Sequence, residues 1–484
     1  MRKKGNDVPK LAETTDLKRL QQRLEQHGQE HLLAFYQELT PTQRMVLTKQ
    51  LESLNWEYLD ELLTSHFKSK PDLSLPESLE PPPYYPVVEA EPGHYSKARD
   101  LGKSLIRQGQ IAAFTVAGGQ GTRLGWDDPK GTYPATALSK KPLFQLFAEQ
   151  LQKTGELYGT TVPWYIMTSQ TNHGVTQDFF DAHDYFGLER ENVMLFPQGM
   201  MPSIGFDGQL LLSEKHTVAL NPDGHGGSLS ALEASGALAD MERRGVTQIS
   251  YFQVDNPNVH TVDPLFIGLH VGEGAEMSSK MLRKASPKEK VGVFCVADGK
   301  IAVIEYSDMP DALAEATHED GTLQFAAGSI AIHMISLSFA LKLARGRGDR
   351  LALPLHRAEK KVPFIDSATG QRVKPSAPNA IKLERFIFDA LPLAKHSVIL
   401  ETDRTEEFAP IKNADGTDSP ESSKRLQTER AARWLEAHGV KVPRNDDGEV
   451  DAVIEISPLT ALSSDDLANV ELPDAVEVGA KLIL

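Results

Sequence analysis

A chain of 484 residues exceeds what one ordinary hydrophobic core organises, so two or three domains are expected. Its composition, 40 % apolar and 24 % charged, is that of a globular protein, and a net charge of −16 argues against a broad basic face for nucleic acid or anionic membrane. The one cysteine, Cys295, excludes an internal disulfide and a thiolate metal cluster and fits a reducing, cytoplasmic setting.

The opening "MRKKGNDVPKL" carries positive charge with no apolar stretch behind it, which argues against a signal peptide. Residues 12–67 read as helical, with leucines at 17, 20 and 24 in "LKRLQQRLEQ", and Pro41 behind Thr40 marks the start of a new helix. Residues 71–92 hold seven prolines, a density that no helix or central strand tolerates, so they read as an extended connector. From "SKARDLGKSLIRQGQ" a helix leads into the apolar run "IAAFTVA", and similar runs recur at "PWYIMTS", "VMLFPQ", "QISYFQVDN" and "GVFCVADG". Helical stretches such as "LSALEASGALADMERRG" separate them, and this alternation indicates an α/β fold with a mostly parallel sheet. The window "GSIAIHMISLSFALKLAR", interrupted by His333 and Lys342, reads as one buried helix rather than a membrane span. Past residue 400, "NADGTDSPESSKRLQTER" reads as an exposed loop, followed by a short helix and small strands at "AVIEISPL" and "AVEVGAKLIL". The expected division is 1–95 for the helical segment and connector, 96–400 for the main domain and 401–484 for a small C-terminal domain.

Sheets of this kind bind ligands beyond the carboxyl ends of their strands, and the unusual residues fall there. "TVAGGQGTRLGWDDPKGTYPAT", residues 115–136, has five glycines, Arg123 and Lys130. It is not a P-loop, since no Gly-Lys-Ser/Thr follows, nor the dinucleotide fingerprint, since Leu124 stands where the third glycine belongs. Adjacent glycines let the backbone approach a flat base and a phosphate, Arg123 offers a planar fork and Lys130 a movable point charge. The bland alternative is a glycine-rich turn with two solvated cations. "NPDGHGGSLSAL" is a tight turn feeding a helix, with His225 between glycines, and such a histidine is more often bland than functional. Gln198 in "FPQGMMP" is an amide placed to read a base edge. Asp255, in "YFQVDN" at the end of an apolar run, suits Mg²⁺ shared with substrate phosphates, or else a helix cap. Glu305, Tyr306, Ser329, Lys382 and Lys412 are uninformative one at a time.

In their order, these pieces resemble the eukaryotic-type UDP-N-acetylglucosamine pyrophosphorylases, within the UTP:sugar-1-phosphate uridylyltransferases. The resemblance spans residues 12–420 and is close at "AGGQGTRLG…PKGTYP", "FFDAHDYFGL", "ENVMLFPQGMMP", "FDGQLLLSEK", "VDNPNVHTVDPLFIG", "PNAIKLERFIFD" and "EEFAPIKNAD". It implies a nucleotide-diphosphosugar-transferase (Rossmann-like) sheet, an N-terminal helical segment and a small C-terminal domain. It implies UTP and a sugar-1-phosphate as substrates, Mg²⁺ as cofactor, and neither nucleic acid nor membrane as partner. By position, Val116, Ala117, Gly118, Gly119, Gln198 and Gly224 would hold the uridine, and Arg123, Lys130 and Lys412 the phosphates in catalysis. Asp255 would sit beside the metal, and Glu305, Tyr306 and Lys382 would hold the sugar phosphate. The acetylglucosamine enzymes read "PDGNGG" where this chain has His225, and "NAGNIA" where it has "AAGSIA" at Ser329. Histidine there is carried by the UDP-glucose and broad UDP-sugar branches, which leaves those activities as the alternative. On the residues alone, a nicotinamide-dependent oxidoreductase and a catalytically silent sugar-nucleotide sensor are the competing classes. The misplaced third glycine counts against the first, and retention of Arg123, Lys130, Asp255 and Lys412 against the second.

Overall fold

The run Ile111–Val116 buries its first five side chains on both faces, as an interior parallel strand must. In the computed structural model, which describes residues 9–67, 78–346 and 352–484, this strand lies inside a ten-stranded sheet. The strands, in chain order, are β1 (Leu79–Glu80), β2 (Ile111–Val116), β3 (Trp164–Thr168), β4 (Val193–Pro197), β5 (Gln248–Gln253), β6 (Met277–Arg283), β7 (Val293–Ala297), β8 (Lys300–Ile304), β9 (Ala327–Ser336) and β10 (Ile399–Glu401). The spatial order is β1-β7-β9-β5-β2-β3-β4, with β6 between β9 and β10 and with β8 beside β7. β5, β2, β3 and β4 form a parallel block, and β6 and β10 also pair in parallel. β9 runs antiparallel to β5, β6 and β7.

Register fixes where the site falls. Gln253 pairs with Val116, Val116 with Met167, and Met167 with Phe196, so four carboxyl ends finish on one edge. The antiparallel register Gln248–Ser336 and Tyr251–His333 brings the amino end of β9 to that same edge.

The chain divides into two compact units: Met1–Leu75 with Gly199–His225 and Pro354–Phe386, and Pro76–Gln198 with Gly226–Leu353 and Ile387–Leu484. In the first unit, Leu24, Leu47, Leu51, Trp56 and Leu59 pack with Ile204, Leu210, Ile381 and Leu383 in one core. The helix Pro41–Ser53 starts where expected, because Thr40 and Gln43 cap one another reciprocally and Pro41 fits the first turn. A three-stranded antiparallel sheet joins Ile204–Gly205, Ala380–Glu384 and His356–Lys360. The second unit holds the ten-stranded sheet and a separate C-terminal core around Trp434, Leu435 and Ile454.

Two expectations need correction. "GSIAIHMISLSFALKLAR" is not one helix: Ala327–Ser336 is a strand, and Leu337–Arg345 a helix. The β-branched isoleucines at 330, 332 and 335 favour the strand, and the Ser336 side chain, accepting from Phe339 N, starts the helix. Likewise the polar segment 413–430 is a loop only at first, since Pro420–Ala437 is a helix of 18 residues. Ser419 and Ser422 form its capping box and Pro420 its first turn, a start signal that outweighs polarity. Of the proline-rich connector, residues 71–77 lie outside the described residues; the rest contains the short strand β1 and a bridge in which Tyr85 pairs in parallel with Leu400 of β10. Among the described residues no helix is long and apolar enough to cross a membrane.

Candidate functional site

The glycine loop leaves β2 and closes on itself at once. Gly121 N donates to Asp128 O at 3.0 Å, and Lys130 N to Gly119 O at 3.1 Å, so the chain returns beside its own start. A Cβ at Gly121 would lie 2.7 Å from the Trp126 side chain, so the fold of the loop requires glycine there. At Gly118 the neighbour is a side chain: a Cβ would fall 3.2 Å from the amide nitrogen of Gln198. Gln198 follows β4 and is held by its own N–H to Thr168 O at 2.7 Å, so the amide expected to read a base edge lies over bare backbone. Gly118 therefore adjoins Gln198 on the parallel edge.

The same edge brings a cation to a carboxylate. Lys130 Nζ lies 3.5 Å from Asp255 Oδ2, with both side chains mostly buried. Asp255 sits two residues beyond β5, which neighbours β2, so adjacent strands deliver the pair although 125 residues separate them. Arg123 is exposed and forms no ion pair among the described residues, so its guanidinium is available to an anion. Lys412 is reached through its backbone: Ile411 N donates to Asp255 O at 2.8 Å, which sets the Lys412 segment beside the Asp255 turn. The Lys412 ammonium lies 5.1 Å from the Phe408 ring centre and 3.6 Å from Asp418 Oδ2. Asp255 is a single carboxylate, and no cluster of three or more metal-ligating side chains occurs among the described residues. That donor set fits Mg²⁺ shared with substrate phosphates and does not fit a metal caged by protein.

Ser329 and Glu305 meet at Gly292. Ser329 N donates to Gly292 O at 2.7 Å, and a Cβ at Gly292 would lie 3.4 Å from Glu305 Oε1. Tyr306, directly after, is exposed. Next to Ser329 the strand is irregular, with a register shift opposite it and Ala331 at φ 56°, the left-handed region that L residues seldom adopt.

Gly224, His225 and Lys382 belong to the first unit. Gly224 has φ 82°, and a Cβ there would lie 2.3 Å from Arg385 O, so neither backbone nor space admits a side chain. The His225 ring packs 5.3 Å from Phe386, which also packs 4.6 Å from the His356 ring. Burial, with His356 adding to it, pushes the His225 imidazole down to about 4, so it is neutral near pH 7. Lys382 lies opposite Ala358 in the three-stranded sheet, and burial holds its ammonium below the ordinary lysine value.

Three supporting residues were given no role by the sequence reading. Asn172, buried after β3, donates to Ala117 O at 3.2 Å and Gly119 O at 3.4 Å, fastening the glycine loop. Asn256 bridges the chain before Lys412, accepting from Ala409 N and donating to Glu407 O. Glu455, in the C-terminal core, accepts from Leu138 N at 2.9 Å and Ser139 N at 3.1 Å, just beyond the lysine turn. An asparagine after an apolar run was a readable signal for the first two, whereas nothing local marked Glu455.

Bare backbone beside an amide, and one ammonium beside one carboxylate, lie at the carboxyl edge of a parallel block, where α/β sheets of this kind take their ligands. The sequence pattern of the family described as UTP–glucose-1-phosphate uridylyltransferase (UDPGP) matches residues 75–447. The chain belongs to that family. It is 40 % identical over 475 residues to a human protein named UDP-N-acetylhexosamine pyrophosphorylase-like protein 1, covering 92 % of this chain and 93 % of the relative. It is 36 % identical to UDP-N-acetylglucosamine diphosphorylase 2 of Arabidopsis thaliana, covering 93 % and 90 %. A crystal structure of the uridine diphosphate N-acetylglucosamine pyrophosphorylase from Trypanosoma brucei, in complex with inhibitor, superposes with a TM-score of 0.79 at 27 % identity, over 97 % of this chain and 98 % of that one.

Proposed function

We propose that this protein transfers the uridylyl group of UTP to a sugar-1-phosphate, N-acetylglucosamine-1-phosphate first, and releases pyrophosphate. The observation that carries the reading is the Lys130–Asp255 pair, 3.5 Å apart at the strand edge that also holds the glycine backbone and Gln198. A phosphate oxygen of the sugar-1-phosphate attacks the α-phosphorus of UTP in line, forming the new P–O bond. The bond to the bridging oxygen breaks, and that oxygen leaves with the pyrophosphate. The attacking phosphate is already ionised, so no general base is needed and the protein's part is alignment and neutralisation of charge.

In this reading Val116, Ala117, Gly118, Gly119, Gln198 and Gly224 hold the uridine. Arg123, Lys130 and Lys412 meet the phosphates, and Glu305, Tyr306 and Lys382 the sugar phosphate. Asp255 would hold a Mg²⁺ together with the substrate phosphates, and the ion would supply further charge neutralisation there. A cytoplasmic location accords with a single, buried cysteine. UTP incubated with a panel of sugar-1-phosphates, read by pyrophosphate release, tests the reading: release with no sugar-1-phosphate tried would refute it. His225 favours a second reading, use of plain hexose-1-phosphates, since a neutral imidazole carries its one donor and one acceptor on separate ring nitrogens, where an asparagine amide presents donor and acceptor side by side to an acetamido group.

A further inference from the structure

The segment Thr402–Ile411 runs from β10 to Lys412 as a strap laced to the turn that follows β5. Asn258 Nδ2 donates to Thr405 O at 2.8 Å. Asn256 Nδ2 donates to Glu407 O at 2.6 Å, and Asn256 Oδ1 accepts from Ala409 N at 3.0 Å. Ile411 N then donates to Asp255 O at 2.8 Å. Asn256 is 4 % exposed, and the two strap residues that it joins are buried as well. Behind the strap, the Glu407 carboxylate is itself anchored. Lys280 Nζ lies 2.6 Å from both its oxygens and 2.5 Å from Asp263 Oδ2, and Thr402 Oγ1 donates to Glu407 Oε2 at 2.8 Å. Burial alone would depress the Lys280 ammonium, but the two carboxylates outweigh it and hold it above the ordinary lysine value. Lys280 therefore stays charged and the strap stays pinned from behind.

Resting on the proposed uridylyl transfer, we infer that Asn256 is a positioning residue: through both ends of its amide it sets the backbone that carries Lys412 at a fixed place beside Asp255. The amide spans two residues of the strap, so the strap cannot slide along the Asp255 turn without breaking a bond to a buried partner. A plain alanine at 256 leaves the Glu407 carbonyl and the Ala409 amide without their partner, and the strap relaxes toward other donors. Displacement of a charge by about 1 Å costs on the order of 10²-fold in rate when alignment is the source of catalysis. Asn256 thus acts on the reaction through Lys412 and touches no substrate itself.

A double-mutant cycle tests this, with pyrophosphate release measured for wild type, Asn256→Ala, Lys412→Ala and the double variant, and thermal midpoints recorded for each. Asn256→Ala is expected to lower kcat ~10- to 100-fold in the wild-type background, with KM for UTP changing less than about threefold. In the Lys412→Ala background the same change is expected to lower kcat less than about threefold, because the group it positions is gone. Equal losses in both backgrounds would mean that Asn256 only stabilises the fold, and would overturn the inference while leaving the proposed activity standing. An inactive wild type would overturn both. Asn256→Asp, nearly isosteric, keeps the acceptor for Ala409 N and loses the donor to Glu407 O; the same cycle on it decides the matter if the alanine variant does not fold.

Discussion

Replacing Lys130 by alanine separates a group that works in the transition state from one that merely decorates a loop. Two unit charges about 4 Å apart, in surroundings of effective dielectric near 20, interact by about 4 kcal/mol. Lys130 and Asp255 lie 3.5 Å apart with 17 % and 13 % of their side chains exposed, so that dielectric suits their setting. As a net contribution to stability the pair is worth much less than that attraction, because the desolvation of both charges and side-chain entropy offset most of it. Toward charge that develops on a transferring phosphate the offset is smaller, since the ammonium is already placed: Lys130 N is bonded to Gly119 O, and Tyr133 N to Lys130 O. Loss of one preorganised contact of this kind costs about 3–4 kcal/mol, or 10²–10³-fold in kcat. Lys130→Ala should therefore reduce kcat for pyrophosphate release, at saturating substrates, by at least ~10²-fold, while the thermal midpoint moves by less than about 3 °C. Steady-state kinetics and a melting curve on the same preparation check both halves. A kcat loss below about threefold would refute the reasoning and return Lys130 to the surface. A large fall in the melting temperature would show instead that the pair is structural.

Turnover should require a divalent ion, Mg²⁺ first, with Asp255→Asn sharply impaired; full activity in excess chelator would leave Asp255 as a turn residue. Because this chain has His225 and Ser329 where the acetylglucosamine enzymes it resembles have asparagine, discrimination at the sugar should be loose, about 10–200-fold between N-acetylglucosamine-1-phosphate and glucose- or galactose-1-phosphate. His225→Asn and Ser329→Asn, singly and together, should sharpen preference for the acetylated sugar, and rejection of plain hexose phosphates by wild type beyond about a thousandfold would contradict this. Stability should fall as the pH is lowered from about 6.5, because burial pushes His270 down to about 3 and His225 to about 4, so the unfolded chain takes up protons that the folded one refuses. His270→Gln should flatten that fall in urea-unfolding midpoints measured from pH 7 to 4, and an unchanged slope would mean that His270 is already protonated when folded.

Much of this was legible in the linear chain because the cause is local. Apolar runs that end in glycine, Asp-Asn or Pro-Gln name strands by their length and composition and put chemistry at the carboxyl ends. Thr40 with Pro41 announces a helix wherever it occurs. The glycine loop stood out by its bare backbone around two cations, a local pattern that pointed to an anion-binding turn. Mean polarity misled where a start signal was weighed too lightly, at Ser419, and mean hydropathy where a strand and a helix adjoin without a break, at Ser336. What only the tertiary structure decided are the pairings across long separations. Lys130 meets Asp255 because β2 and β5 are neighbours in the sheet, and strand order is set by the packing of the whole chain rather than by any segment of it. The first unit gathers three separate stretches of sequence, and Glu455 caps a loop more than 300 residues away. Asn256 reads in the sequence as one more turn residue, and only the fold brings to its amide the strap that carries Lys412. Long-range partners leave no periodicity in the sequence, because each is selected by position in space and not by its neighbours along the chain.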